Sequence, residues 1–239
     1  MASDRILQER RGAQLWLTIN RADKANALTV SMMEGLTAAI VAGGGDAAVN
    51  AILLSGEGDR VFCAGVDVRE PPLDGDMTRQ RERRSQALAA LQDAIIDAPK
   101  PVIAVLNGTA SCGGAMIALL ADACVAVESA ELSLPEIDLG IASFSGANIL
   151  AVIGGRALAL DLIQSARRMS AAEALRRGLF GAVSPRHDIE EVAANLAERL
   201  GKKDQHAWAE NKRWINRDLK AALAEARAEH AQHRSKTAN

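Results

Sequence analysis

Pro101-Val102-Ile103-Ala104-Val105-Leu106-Asn107-Gly108 decides the fold, together with Gly113-Gly114-Ala115-Met116-Ile117-Ala118-Leu119-Leu120 and Cys124-Val125-Ala126-Val127 just beyond it. The first apolar run is short and bounded by turn residues, which reads as a buried strand. Asn107-Gly108 turns the chain. The paired glycines open an apolar helix that continues through Leu120, and a further buried strand follows. Short apolar strands alternating with helices imply ββα or βαβ units, hence an α/β fold with covered sheets.

Working outward, residues 14–20 alternate and are rich in strand formers. Residues 30–42 place Val30, Met33, Leu36 and Ile40 at helical spacing, and Gly43-Gly44-Gly45 is expected to end that helix. Ala51-Ile52-Leu53-Leu54 reads as a buried strand before the turn at 55–58. Residues 68–78, with two Pro, two Asp and a Gly, read as a mobile surface loop. Residues 79–97 read as a helix whose run Arg79, Arg81, Glu82, Arg83, Arg84 forms a solvated face. From about residue 144 only helices are expected, at 145–153, 156–164, 171–177, 188–200 and 204–234. Trp208, Trp214, Ile215, Leu219 and Leu223 mark an amphipathic last helix. No linker and no internal repeat is visible. The division expected is an α/β core over 1–200 and a helical segment over 201–239 that packs on the core or on neighbouring subunits.

The chain has 239 residues, 49% hydrophobic and 24% charged, with 3% aromatics and no Tyr. Its core must therefore be built from Ala, Leu, Ile and Val, and Ala favours helix. A net charge of −2 shows none of the basic excess of a nucleic-acid binder. Three cysteines without close spacing argue against a disulfide framework or a zinc site. Met1-Ala2-Ser3-Asp4-Arg5 leads into no apolar signal core, and no apolar run reaches the ~18 residues of a membrane helix. A soluble, cytoplasmic chain with no metal, no membrane and no nucleic-acid partner is expected.

Three segments can carry chemistry. Phe62-Cys63-Ala64-Gly65-Val66-Asp67 follows a strand, and Gly65 permits a sharp turn that exposes the Val66 amide; a plain turn is the simpler reading. Asn107-Gly108-Thr109-Ala110-Ser111-Cys112-Gly113-Gly114 brings a strand to a helix start, where free amides and the helix dipole favour an anion. Paired glycines equally serve close packing. Leu134-Pro135-Glu136-Ile137-Asp138-Leu139-Gly140 sets acids among apolar residues. If buried, Glu136 has a raised pKa and suits a proton shuttle; an isolated Glu is otherwise a solvated turn residue. Asp138 reads as a structural acid, and Cys112 as a small buried hydrophobe. The four histidines read as surface or helix-packing residues, and Lys212 with Arg213 as a solvated face that could also reach a phosphate.

In order and spacing these segments, with Asn20-Arg21-Ala22-Asp23-Lys24-Ala25-Asn26-Ala27-Leu28 ahead of them, resemble the crotonase (enoyl-CoA hydratase/isomerase) family over about residues 12–200. The resemblance implies a spiral of ββα units followed by a helical C-terminal trimerisation region, assembled as a homotrimer or as a hexamer of two trimers. It implies an acyl-CoA thioester as substrate, with coenzyme A entering as part of that substrate and no resident cofactor. Lys24, Ala25, Ala27, Ala64, Asp67, Val68 and Arg69 match the family's coenzyme A contacts. The amides of Val66 and Gly113 match its two oxyanion donors, and Glu136 matches its proton-transferring glutamate.

The family's first glutamate falls on Met116, which cannot act as a base. The resemblance therefore favours an enoyl-CoA isomerase working through one carboxylate, in a dry pocket walled by Met116, Leu119 and Phe144. An enoyl-CoA hydratase, a specialised acyl-CoA hydrolase and a non-catalytic acyl-CoA-binding homologue are the alternatives. Ser143 and Phe144 stand where other members place a second acid, which disfavours dienoyl isomerisation.

Overall fold

The computed structural model describes residues 5–237, with side chains through residue 232. Residues 1–4, which the signal-peptide reading concerns, lie outside them. The chain opens with an antiparallel hairpin: β1 (Arg5–Arg11) pairs with β2 (Gln14–Asn20), Arg5 opposite Asn20. β1 escaped the sequence reading because its charged residues are solvated, as suits an edge strand. α1 (Val30–Gly45) starts at Thr29, whose hydroxyl accepts from the Met32 amide at 3.2 Å. It runs through the three glycines instead of stopping at them. Gly43 is pressed against Leu15 and Ile52, and that burial outweighs the weak helix propensity of glycine.

Three successive units follow, each giving one strand to each of two sheets. β3 (Ala51–Gly56) and β4 (Val61–Cys63) precede α2 (Met77–Asp97). β5 (Val102–Leu106) and β6 (Thr109–Ser111) precede α3 (Gly113–Leu120). β7 (Ala123–Val127) and β8 (Glu131–Ser133) come next, before α4 (Phe144–Gly154). After α5 (Arg156–Ser165), short strands β9 (Met169–Ser170) and β10 (Ala182–Ser184) flank α6 (Ala171–Arg176). The larger sheet runs β1-β2-β3-β5-β7-β10, parallel from β2 onward; the smaller runs β4-β6-β8-β9. The architecture is thus a winding of ββα units, repeated without any repeat in sequence.

The larger sheet's middle strands are buried on both faces, which is why Ile52–Leu54 and Val102–Leu106 read as unbroken apolar runs. Every residue of α3 is buried, so this apolar helix lies inside the fold. The expected helix at 204–234 is two: α8 (Gln205–Ile215) and α9 (Arg217–Thr237), both following α7 (Ile189–Gly201). Asn216 ends α8, its amide donating to the Lys212 carbonyl at 3.0 Å. The break lets Leu219, Leu223 and Ala226 turn inward along α9, which lies against α4 of the same chain. It leaves Trp214 and Ile215 outside, 61% and 74% exposed. Among the described residues no helix is long and apolar enough to cross a membrane.

Candidate active site

Two loops are knitted together at the start of the site. A 3-10 turn at Ala22–Lys24 leads into Ala25 and Asn26, both at φ 53°. Asn26 is buried and holds this turn: its amide nitrogen donates to the carbonyls of Glu57 and Val61, and its oxygen accepts from the Arg21 amide. The Ala64 amide donates to Ala25, the Leu28 amide to Gly65, and the Asp67 amide to Leu28. Asp67 is clamped by the Arg21 guanidinium at 2.8 Å. Burial works to raise its pKa, but the hydrogen bonds from Arg21 and from the Arg69 amide, with their charge, outweigh this and hold it low. Lys24, Val68 and Arg69 stand exposed along the outside of the two loops, with Ala25, Ala27 and Ala64 half-buried between them. The irregular stretch after Arg69 ends at Asp76, whose carboxylate caps α2 at the Thr78 and Arg79 amides, two residues earlier than the sequence suggested.

The Gly65–Val66 turn lies against the start of α3. Gly65 has φ +100°, and a β-carbon on it would come 2.8 Å from Cys112 Cβ and 3.0 Å from the Gly113 nitrogen. A β-carbon on Gly113 would lie 3.6 Å from the Val66 nitrogen. The two amides thus come from separate loops to one place. Gly113 opens α3, so its N–H has no partner within the helix. Cys112 makes the reversal from β6 into α3 possible by adopting φ 50°, ψ −127°, a costly conformation for a residue with a side chain. Gly114 serves packing, since a β-carbon there would stand 2.2 Å from the Cys63 carbonyl oxygen.

Glu136 sits on a 3-10 turn, Pro135–Leu139, closed by Gly140 in the left-handed region. The turn points Glu136 inward, 8% exposed, and leaves Ile137, Asp138 and Leu139 outside. Asp138 therefore does not share its burial. Glu136 borders a cavity of about 360 Å³ with Met116, Ser143, Phe144, Gln92, Arg227 and His230. Burial pushes its carboxyl above the usual range, with its own main-chain amide and the nearby Ser143 hydroxyl pulling weakly the other way. Glu136 Oε2 and Ser143 Oγ are both buried and complete no hydrogen bond among the described residues. Glu82, also on the cavity wall, is exposed at the rim. Val66 and Gly113 do not border this cavity themselves; Met116, one turn along α3 from Gly113, does.

Other expectations change. Leu119 lines a different cleft of about 580 Å³, beside α8, because it stands at the C-terminal end of α3, where Leu120, Ala121 and Asp122 line the same cleft. Lys212 is buried, not solvated, and pairs with Asp122 at 2.7 Å, the two side chains 5% and 12% exposed. Burial pushes the Lys212 ammonium down and the Asp122 carboxyl up, against the attraction between them. Arg213 does face solvent, paired with Glu210. Arg84 departs from its charged run and turns inward toward the carbonyls of Gln80 and Asp67. Burial first, then the charge of Glu136, pushes the Cys112 thiol up to about 12, so it is no thiolate nucleophile at neutral pH. Gln92, Arg227 and His230 were missed as site residues. They reach the cavity from α2 and α9, and no local pattern in those helices announces it.

The family profile described as Enoyl-CoA hydratase/isomerase matches residues 9–239. A Rhizobium meliloti (strain 1021) protein named "Probable enoyl-CoA hydratase" is 35% identical over 94% of this chain and 86% of its own length. The mitochondrial enoyl-CoA hydratase of Pongo abelii is 32% identical, over 92% of this chain and 76% of that one. The crystal structure of an enoyl-CoA hydratase from Bacillus anthracis superposes with a TM-score of 0.83 at 30% identity, covering 95% of this chain and 91% of the other.

Proposed function

Because the chain belongs to the enoyl-CoA hydratase/isomerase, or crotonase, family, we propose that it binds an enoyl-CoA thioester and shifts its double bond through Glu136. The Glu136 carboxylate takes a proton from the α carbon of a 3-enoyl thioester, and the electron pair spreads over a dienolate. The same carboxyl returns the proton at the γ carbon, which leaves a 2-enoyl thioester. The negative charge that develops on the thioester oxygen is met by the Val66 and Gly113 amides. A preorganised donor of this kind is worth about 2.7–4 kcal/mol in an acyl-transfer site. A raised pKa suits a carboxyl that must both take and give a proton near neutral pH.

The observation that carries this reading is the pairing of a buried Glu136 with Met116 across one cavity. Met116 offers a thioether where activation of water needs an acid or base. Lys24, Ala25, Ala27, Ala64, Asp67, Val68 and Arg69 would line the coenzyme A arm, and Phe144 the acyl chain. The proposal includes a cytoplasmic homotrimer or a dimer of trimers; the exposed Trp214 and Ile215 support such an assembly face.

Hydration is the second reading, favoured by the names of the relatives. Incubation with 3-enoyl-CoA and 2-enoyl-CoA, followed by mass and thioester absorbance, separates the two. Isomerisation leaves the mass unchanged, and hydration adds one water. Binding without turnover of either would leave a non-catalytic acyl-CoA-binding protein and end the proposal.

A further inference from the structure

The cavity beside Glu136 has two chemically different ends. Around Glu136, neighbours follow in order: Ser143 lies beside it, Gly146 packs against both Ser143 and Met116, and Met116 meets Gln92. Gln92 in turn meets Arg227, which reaches in from α9. The end at Arg227 is polar, although pockets for plain alkyl chains are lined mainly by apolar groups. Gln92 is 1% exposed, and its amide nitrogen donates to a weak acceptor, the Met116 sulfur, at 3.7 Å. Arg227 donates through Nη1 to Asp93 and through Nη2 to the Ala89 carbonyl and Gln92 Oε1. Its Nε is buried and meets no acceptor among the described residues.

We propose that the acyl chain taken by this protein ends in a carboxylate, received by the Arg227 guanidinium and the Gln92 amide at the end of the cavity away from Glu136. The inference rests on the enoyl-CoA reading above and names the substrate class within it: the coenzyme A thioester of a dicarboxylic acid. A hydrocarbon end would leave Arg227 Nε, already buried without an acceptor among the described residues, and a Gln92 amide held only by a thioether facing CH groups. A carboxylate supplies the missing acceptors, and a guanidinium is the side chain best shaped to hold it. Met116 and Gln92 come between Arg227 and Glu136 in this order of neighbours. Asp93 lies on the outer side of Arg227, 43% exposed, and competes only weakly as a hydrated partner.

The test uses saturated thioesters of equal length, hexanoyl-CoA and hexanedioyl-CoA, which have no double bond to move. Calorimetry of the full chain is expected to give at least tenfold tighter binding of hexanedioyl-CoA. Arg227→Met should bring the ratio of affinities close to one, while Arg227→Lys retains part of it. Asp93→Asn, which frees the guanidinium from its competitor, should raise the ratio. Equal affinities in the unaltered protein, or a ratio untouched by Arg227→Met, would overturn the inference. Turnover of 3-enoyl-CoA alongside equal affinities would sink this inference alone; failure to bind either thioester would sink the enoyl-CoA reading with it.

Discussion

Gly65 stands so close to Gly113 that a β-carbon on the first would come within 3.0 Å of the amide nitrogen of the second. This contact joins the turn after β4 to the first residue of α3, and it fixes the spacing of the two amides proposed to hold the thioester oxygen. Gly65 also needs its φ of +100°, which side-chain-bearing residues rarely adopt. Gly65→Ala is expected to lower kcat by roughly 10²-fold or more, on the scale of losing one oxyanion donor. It should destabilise the protein by about 1–3 kcal/mol from backbone strain. A kinetic assay beside a urea titration checks both; full activity in the variant would separate this turn from catalysis.

Glu136→Gln is expected to reduce isomerisation by about 10³-fold or more, on the scale of general acid–base catalysis, while coenzyme A thioesters still bind. Because burial raises the Glu136 pKa, the acid limb of the pH–rate profile should lie above 4.5, the ordinary value for glutamate. The stability effect has the opposite sense to the usual carboxylate. A raised folded-state pKa means that the fold favours the protonated form, a contribution complete below the unfolded value and lost as pH rises through the folded one. The variant should therefore melt at the same or a higher temperature than the parent at pH 8, with less difference at pH 4. A lower melting point at pH 8 would contradict the burial argument.

Met116→Glu tests why the cavity favours isomerisation. Gln92 Nε2, 3.7 Å from the Met116 sulfur, would meet the new carboxylate. Two carboxyls sharing one cavity raise each other's pKa. Water addition to 2-enoyl-CoA is expected to rise at least tenfold over the parent (about 1.4 kcal/mol of barrier), followed by product mass. An unchanged hydration rate in a folded variant would show that position 116 does not decide the reaction.

The Lys212–Asp122 pair ties α8 to the turn before β7, where the Asp122 carboxylate also accepts from the Val102 amide at 2.8 Å. Lys212→Met alone strands a buried carboxylate and should cost about 3–5 kcal/mol. Adding Asp122→Asn removes that charge and keeps an acceptor for Val102, so most of the loss should return. Urea unfolding of the three proteins measures this; a single variant as stable as the parent would mean that the pair does not anchor α8.

The sequence by itself determined the alternation of buried strands and helices, because strands covered on both faces must be written as short apolar runs. Gly113–Leu120 appears in the structure with the bounds its residues imply. The four motifs were legible too, since turns and helix starts constrain residue type locally. Tertiary structure decided what local pattern cannot encode. It carried α1 through three glycines, broke the last helix at Asn216, and buried Lys212 and Arg84 where a charged face was expected. It brought Gln92 and Arg227, 135 residues apart in sequence, to the cavity of Glu136. Periodicity reports which face of a helix is apolar, but which distant element covers that face, and which polar groups are drawn in with it, is settled only when the helices pack.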